Sequence, residues 1–261
     1  MEARISVITI CFNNLEELKY TMQSVDRQQH LPYEHWVIDG STNTEISSYL
    51  KEHPQPVYRK WLSERDHGIS DAFNKGVLRA EGEIVNMLNS GDMYATDDVI
   101  STVIQTFGTN KEINWLHSKV ETVRGGVTVI LGKPFDRHKL YRGMRSVWHQ
   151  SMFVRRPLHE KYGLYNMNID IAMDYDFLCR IGNEPFLFLD KPMIRFAAGG
   201  ISQSNYLRSL EQIRQVYTSY FGKDLRLDFW QLRLKLLNFL LKSPLGNALY
   251  RIKVLLRLEN M

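Results

Sequence analysis

An α/β fold with a helical tail is predicted from three features of the 261-residue sequence. Ile5–Ile10 (ISVITI) and Glu83–Leu88 (EIVNML) are short apolar runs of the kind buried on both faces of a parallel sheet. Between them apolar residues recur at helical spacing, first at Leu15, Leu18, Met22 and Val25, then at Ile69, Ala72, Phe73, Val77 and Ala80, which is the helical share of βαβ units. From Lys223 onward leucine-rich helical spacing continues, with eight Lys or Arg against three Asp or Glu.

Taken in order, the first strand ends in the loop Cys11-Phe12-Asn13-Asn14 and passes into the Leu15–Val25 helix. His35–Ile38 is the second strand and ends in Asp39-Gly40-Ser41-Thr42, ahead of a helix from Thr44 to Lys51. Asp39 suits two roles there, accepting a ligand N–H or forming the turn and helix cap. A third strand is expected at Val57–Trp61, followed by Ser63-Glu64-Arg65-Asp66-His67-Gly68. The next helix starts near Ser70, leaves Asp71, Asn74 and Lys75 off its apolar face, and is closed by Gly82; Asp71 and Lys75 are also spaced as an i,i+4 ion pair. The strand Glu83–Leu88 delivers Asn89-Ser90-Gly91-Asp92 to the carboxyl edge of the sheet, where open α/β folds bind ligands.

Asn114–Val123 and Val127–Leu131 alternate as paired strands about Arg124-Gly125-Gly126. Arg137–Arg145 reads as a basic loop or short helix, facing either anionic groups or solvent. Phe186–Leu189 and Met193–Phe196 read as short strands, and Ala198–Ser202 as a mobile loop. One tail helix carries Leu207, Leu210, Ile213, Val216 and Tyr217. A second, Phe229–Leu241, has a polar stripe of Gln231, Lys235, Asn238 and Lys242. Beyond Pro244 and Gly246, Leu245, Ala248, Leu249, Ile252, Leu255 and Leu256 form an apolar stripe opposite Arg251, Lys253 and Arg257. A basic amphipathic tail of this kind either lies on an anionic membrane surface or packs on its own domain or a second subunit, as in a homo-oligomer.

Bulk properties narrow the classes. A net charge of +4 with 24% charged residues implies no nucleic-acid partner. Cys11 and Cys179 offer neither a disulfide framework nor metal-ligand spacing and read as small buried hydrophobes in a reducing compartment. Met1–Arg4 leads straight into a strand and no run reaches roughly 18 apolar residues, so a cytoplasmic protein, peripheral on the inner membrane, is expected. The loop after the first strand is not glycine-rich with a following Arg or Lys, which disfavours a nucleotidyltransferase, and lacks G-x-G-x-x-G, which disfavours a dehydrogenase.

The run S-E-x-D-x-G-I-x-D-A-x-N-K-G from Ser63 to Gly76, followed by a strand and L-N-S-G-D, resembles the family 2 inverting glycosyltransferases of GT-A fold. The nearest likeness is to bacterial exopolysaccharide enzymes of the colanic acid type, and it extends from Ile5 to about Phe221. The resemblance implies a glycosyltransferase domain over 1–221, with a nucleotide-sugar half (1–92), an acceptor half (93–221) and a basic helical tail (222–261). It implies a UDP-sugar donor and, as acceptor, a lipid-linked glycan of bacterial surface polysaccharide. By the same resemblance Asp39 and Asp66 contact the nucleoside, and Cys11, Phe12, Asn13, Asn74, Lys75, Ser90 and Gly91 line the donor. The familiar D-G-G-S-T-D loop is one glycine short here, at Asp39–Thr44.

Asp92 would hold Mg²⁺ or Mn²⁺ on the diphosphate, although the usual pair of carboxylates is here reduced to one. Trp148-His149-Gln150 opens a segment matching H-Q-x-x-F-x-R-R, which implies that His149 and Gln150 lie beside the sugar and leaving group. Met173-Asp174 stands where the family has E-D or S-D at a helix start, which implies Asp174 as the catalytic base. Asp176 and Arg180 would then lie on the acceptor side or pair with each other at i,i+4. The glycines of Ala198–Ser202 match a segment that closes such enzymes. Met173 and the single metal carboxylate also fit a catalytically silent scaffold that only binds nucleotide sugar.

Overall fold

The computed structural model describes residues 2–124, 126–196, 204–241 and 246. The Ala198–Ser202 loop, Lys242 and the apolar stripe from Leu245 to Leu256 lie outside the described residues. The first half is β1 (Ile5–Cys11), α1 (Leu15–Asp26), β2 (Glu34–Asp39), α2 (Glu45–Glu52), β3 (Arg59–Ser63), α3 (Ile69–Arg79) and β4 (Ile84–Met87). There follow β5 (Met93–Tyr94), α4 (Val99–Thr109), β6 (Trp115–Arg124), β7 (Val127–Leu131), β8 (Phe153–Arg155), α5 (Pro157–Tyr162) and α6 (Met173–Ile181). The chain continues through β9 (Phe186–Arg195), α7 (Tyr206–Phe221) and α8 (Leu225–Leu241).

All nine strands join one sheet in the order β3-β2-β1-β4-β8-β6-β9-β5, with β7 on β6. Strands β1 to β4 are mutually parallel, and their register sets Cys11 opposite Asp39 and Asp39 opposite Ser63. The loops after β1, β2 and β3 therefore leave the sheet side by side. Strand β8 runs antiparallel between β4 and β6, carrying the sheet without a break into the second half. One apolar core packs Phe73 and Val77 of α3 with Tyr175, Phe177 and Leu178 of α6 and with Val216 and Tyr217 of α7. Another buries α4 with Ile5, Val7, Leu116 and Ile194.

Several elements differ from their sequence reading. The third strand starts two residues late, at Arg59, because Val57 is fully exposed in a turn closed by the Arg59 N–H on the Pro56 carbonyl. The two strands expected around Asp190-Lys191-Pro192 are one, β9, whose ladder with β6 shifts register about Lys119; an irregularity absorbs residues that otherwise interrupt pairing. Helix α4 is rich in Val, Ile and Thr, which favour strands. Its Val99, Ile100, Val103, Ile104 and Phe107 face is buried, and that burial outweighs propensity.

Helix α8 is turned round. Gln231, expected on an outward polar stripe, is buried with Leu227 and Leu234, and its Nε2 donates to the Leu210 carbonyl at 2.7 Å. No described helix is long and apolar enough to cross a membrane.

Candidate active site

The site grows from the carboxyl ends of β1, β2 and β3. Asp39 is buried; its Oδ1 accepts the Ser41 N–H at 3.0 Å and its Oδ2 the Ser63 hydroxyl at 2.7 Å. It thus forms the turn and ties β3 to β2, while the helix cap falls at Thr44. Asn13, with a left-handed φ of 52°, stitches the first loop to the second, its amide oxygen accepting the Thr42 N–H and its Nδ2 donating to the Thr42 hydroxyl. Phe12 stands exposed above this floor. Cys11 lies beneath it, its thiol 3.6 Å from the Ile38 carbonyl; burial, reinforced by Asp39 and Asp66, pushes that thiol well above its ordinary pKa.

Lys75 organises the neighbouring loop. Its Nζ lies 2.8 Å from Asp66, 3.1 Å from Glu64 and 3.2 Å from Asp71, and donates to the Arg65 carbonyl. Burial works against its charge, but Asp66, Glu64 and Asp71 outweigh it and hold the ammonium above the usual lysine pKa. The i,i+4 pair with Asp71 is thus one arm of a three-carboxylate knot pinning the Glu64–His67 loop to α3. Burial raises the Asp66 pKa, with Lys75 opposing. Asp66 also presses on the second loop, since a Cβ at Gly40 would stand 1.9 Å from its Oδ2.

Asn74, implied as a donor contact, has its amide engaged within the protein. It is buried, its amide clasping both the N–H and the carbonyl of Tyr165 at 2.9 Å, and Ser70 beside it donates to the Ile169 carbonyl. These contacts seam α3 to the second half of the chain.

The Asn89–Asp92 loop is held from below. The Ser90 N–H bonds the Ile10 carbonyl, the Gly91 N–H bonds the Thr21 hydroxyl, and that hydroxyl donates to the Asp92 carbonyl at 2.7 Å. Gly91 has a φ of 94°, a conformation that only glycine adopts without strain. Among the described residues no group of three or more His, Cys, Asp or Glu is placed to hold a metal. Asn89 Oδ1, Ser90 Oγ and Gln150 Oε1 are, however, buried without hydrogen-bond partners. Oxygens of this kind are ones that Mg²⁺ or Mn²⁺ accepts, and Asp92 adds a carboxylate to the loop that holds Asn89 and Ser90.

His149 joins this loop to the acceptor side. Its Nε2 lies 3.1 Å from Asn89 Nδ2 and its Nδ1 3.3 Å from Asp174 Oδ2. The Asn89 Nδ2 can only donate, so Nε2 accepts and Nδ1 is the ring nitrogen on the side of the Asp174 carboxylate. Asn86, in the middle of β4, fixes the turn bearing His149 and Gln150 by donating to the Gln150 and Met152 carbonyls, both at 2.9 Å. Asp174 lies in the first turn of α6 behind its N-cap Ala172, where the helix dipole favours a carboxylate.

Asp176 and Arg180 sit deeper and pair with each other. Arg180 donates to Asp176 Oδ2 at 2.9 Å and to the carbonyls of Tyr162, Gly163 and Leu164, while Tyr220 donates to Asp176 Oδ1. Asn86 is a positioning residue that the motifs leave out, and Ser63 and Asn89 are positioning residues that stand in the motifs without a role assigned to them. An asparagine inside the apolar run EIVNML is the one signal that could have pointed to Asn86.

A parallel α/β half whose edge gathers Asp39, Asp66 and the Asn89–Asp92 loop, fused through one sheet to a half bearing Asp174, defines a GT-A glycosyltransferase architecture. Comparison with known proteins agrees. The family described as Glycosyl transferase family 2 matches residues 6–163, and the chain belongs to that family. It is 32% identical over 184 residues to the uncharacterized glycosyltransferase Rv1514c of Mycobacterium tuberculosis, covering 67% of this chain and 68% of that one. It is 26% identical to the PGL/p-HBAD biosynthesis glycosyltransferase Rv2957 of the same species, over 70% of this chain and 71% of the other.

Among solved structures, S. aureus TarS superposes with a TM-score of 0.63 at 17% identity over 93% of this chain, which spans only 44% of TarS. The mannosyltransferase PcManGT of Pyrobaculum calidifontis, solved with GDP-Man and Mn²⁺, gives 0.65 at 14% identity over 99% of this chain and 81% of its own. At these identities the structural likeness speaks for the fold.

Proposed function

We propose that this family 2 glycosyltransferase is inverting and metal-dependent, moving a sugar from a UDP-sugar to a hydroxyl of a lipid-linked glycan in bacterial surface polysaccharide synthesis. The observation that carries the reading is the His149 bridge, which ties the Asn89–Asp92 loop to Asp174. TarS has been solved with UDP and with UDP-GlcNAc, which supports a uridine donor, and the PGL/p-HBAD biosynthesis relative supports a role in glycan assembly.

In this mechanism Asp39 and Asp66 accept hydrogen bonds from the nucleoside, with Cys11, Phe12 and Asn13 bounding the base, while Ser90 and Gly91 face the diphosphate. Lys75 acts through Asp66, as a positioning residue. Asp92 with the Asn89, Ser90 and Gln150 oxygens would hold Mg²⁺ or Mn²⁺, which supplies charge neutralisation at the departing diphosphate. Asp174 takes the proton of the acceptor hydroxyl as its oxygen bonds the anomeric carbon and the sugar–diphosphate bond breaks on the opposite face, through an oxocarbenium-like transition state. His149 positions the Asp174 carboxylate through the contact of its Nδ1 with Oδ2.

Asp174→Asn tests this. UDP binding by calorimetry should persist while turnover falls about 10²–10⁴-fold, and His149→Gln should lower kcat with little change in donor KM. Asp174→Asn with wild-type turnover would remove the base from this reading. Retained anomeric configuration in the product, seen by NMR, would remove inversion. A wild-type protein that binds UDP-sugars yet never releases UDP would favour the silent scaffold that the single metal carboxylate also permits.

A further inference from the structure

Helix α8 shows solvent the wrong face for a soluble helix. Leu225, Phe229, Leu232, Leu236 and Phe239 recur at steps of four, three, four and three and form one stripe; each is between 56% and 74% exposed. The stripe is about 20 Å long at 1.5 Å per residue. Its helix is held from the other side by Leu227, Gln231 and Leu234, so the outward face is fixed by packing and is not a frayed end.

Cations border it. Arg226 and Arg233 lie on one flank and Lys235 on the other. Trp230 gathers three guanidiniums, with Arg142 and Arg233 at 5.1 Å from its ring and Arg145 at 5.6 Å. Among the described residues none of those three arginines is in an ion pair. The nearby carboxylates are already engaged, Asp224 by Arg226 and Tyr217 and Asp228 by Arg214.

From this arrangement we infer that α8 and the Arg137–Arg145 segment form a docking surface for an anionic lipid bilayer, the apolar stripe entering the acyl boundary and the arginines meeting headgroups. An apolar helical face edged by Lys and Arg, with long side chains able to reach the interface, suits such binding, the opposite face of α8 being taken up by its own domain. A second copy fits less well. Its own three unpaired arginines would be brought up against these, and the stripe spans about two heptads where a stable coiled coil takes three or four. Docking on this face does not depend on which sugar is transferred or on Asp174 being the base.

The test is flotation of the full chain with vesicles of phosphatidylcholine alone or with 30% phosphatidylglycerol, alongside light scattering for oligomeric state. Binding to the anionic vesicles only, weakened about fivefold for each charge removed in Arg142→Gln and Arg145→Gln and abolished in a Phe229→Ser, Leu236→Ser, Phe239→Ser triple variant of native thermal stability, is the expected result. Absence of binding by the folded wild type overturns the inference, as does binding that survives in the triple variant. So does a dimer that the triple variant dissolves in protein that ignores vesicles.

Discussion

Gly40 and Asp66 meet so closely that one methyl group becomes a probe of the proposed donor pocket. In Gly40→Ala the new carbon would fall on Asp66 Oδ2, while Lys75 grips Oδ1 at 2.8 Å, so the carboxylate must give up either its place or its lysine. If Asp66 accepts from the nucleoside, losing a hydrogen bond to a charged group lowers UDP affinity on the order of tenfold to a hundredfold. Calorimetric titration with UDP checks this, and unchanged affinity would take Asp66 out of the donor site. At this scale the sequence was legible where a residue's neighbours are local. Asp71 and Lys75 are four apart, and so are Asp176 and Arg180; both pairs form. It was opaque where the partner is remote. Asn74 meets Tyr165 and Asn89 meets His149 across stretches of chain whose folding no spacing records.

Among the elements, the junction of α5, α6 and α7 rests on one side chain. Arg180 neutralises a buried carboxylate and satisfies three carbonyls just past α5, and Tyr220 fastens α7 to the same carboxylate. Arg180→Met should therefore cost about 3–5 kcal/mol, the penalty for stranding a buried charge. Adding Asp176→Leu should recover part of it. Urea denaturation measures both, and a single-variant loss under about 1 kcal/mol would show that the network is not what holds the junction. Periodicity foretold most elements and misjudged those in which tertiary burial overrules local preference. A β-branched run became α4, a proline-bearing segment stayed within β9, and α8 buried its glutamine with Leu227 and Leu234 while exposing its Leu225, Phe229, Leu232, Leu236 and Phe239 stripe.

The molecule as a whole should be acid-sensitive through its interior histidines. Burial pushes His117 down to about 3, burial aided by Arg180 does the same to His159, and burial aided by Arg59 holds His35 well below its ordinary value. Groups with depressed folded pKa values contribute stability that is fully present above the unfolded value near 6.5 and is lost as pH falls toward about 3. Well below 6.5 each histidine costs about 1.4 kcal/mol per pH unit. Urea midpoints at pH 7.5 and 5 should register the loss. His159→Phe, which keeps a ring stacked on Phe177, should make the slope shallower, and an unchanged slope would mean that His159 titrates normally.

The seam formed by Ser70 and Asn74 has a consequence for how such chains can diversify. Its hydrogen bonds end on the backbone of Tyr165 and Ile169, in the other half of the protein. A chimera that keeps residues 1–92 and borrows the rest of the chain from a relative must therefore also inherit a loop that offers those two stations at the same height. Recombination just after residue 92 would leave Ser70 and Asn74 without those stations unless the borrowed segment supplied them.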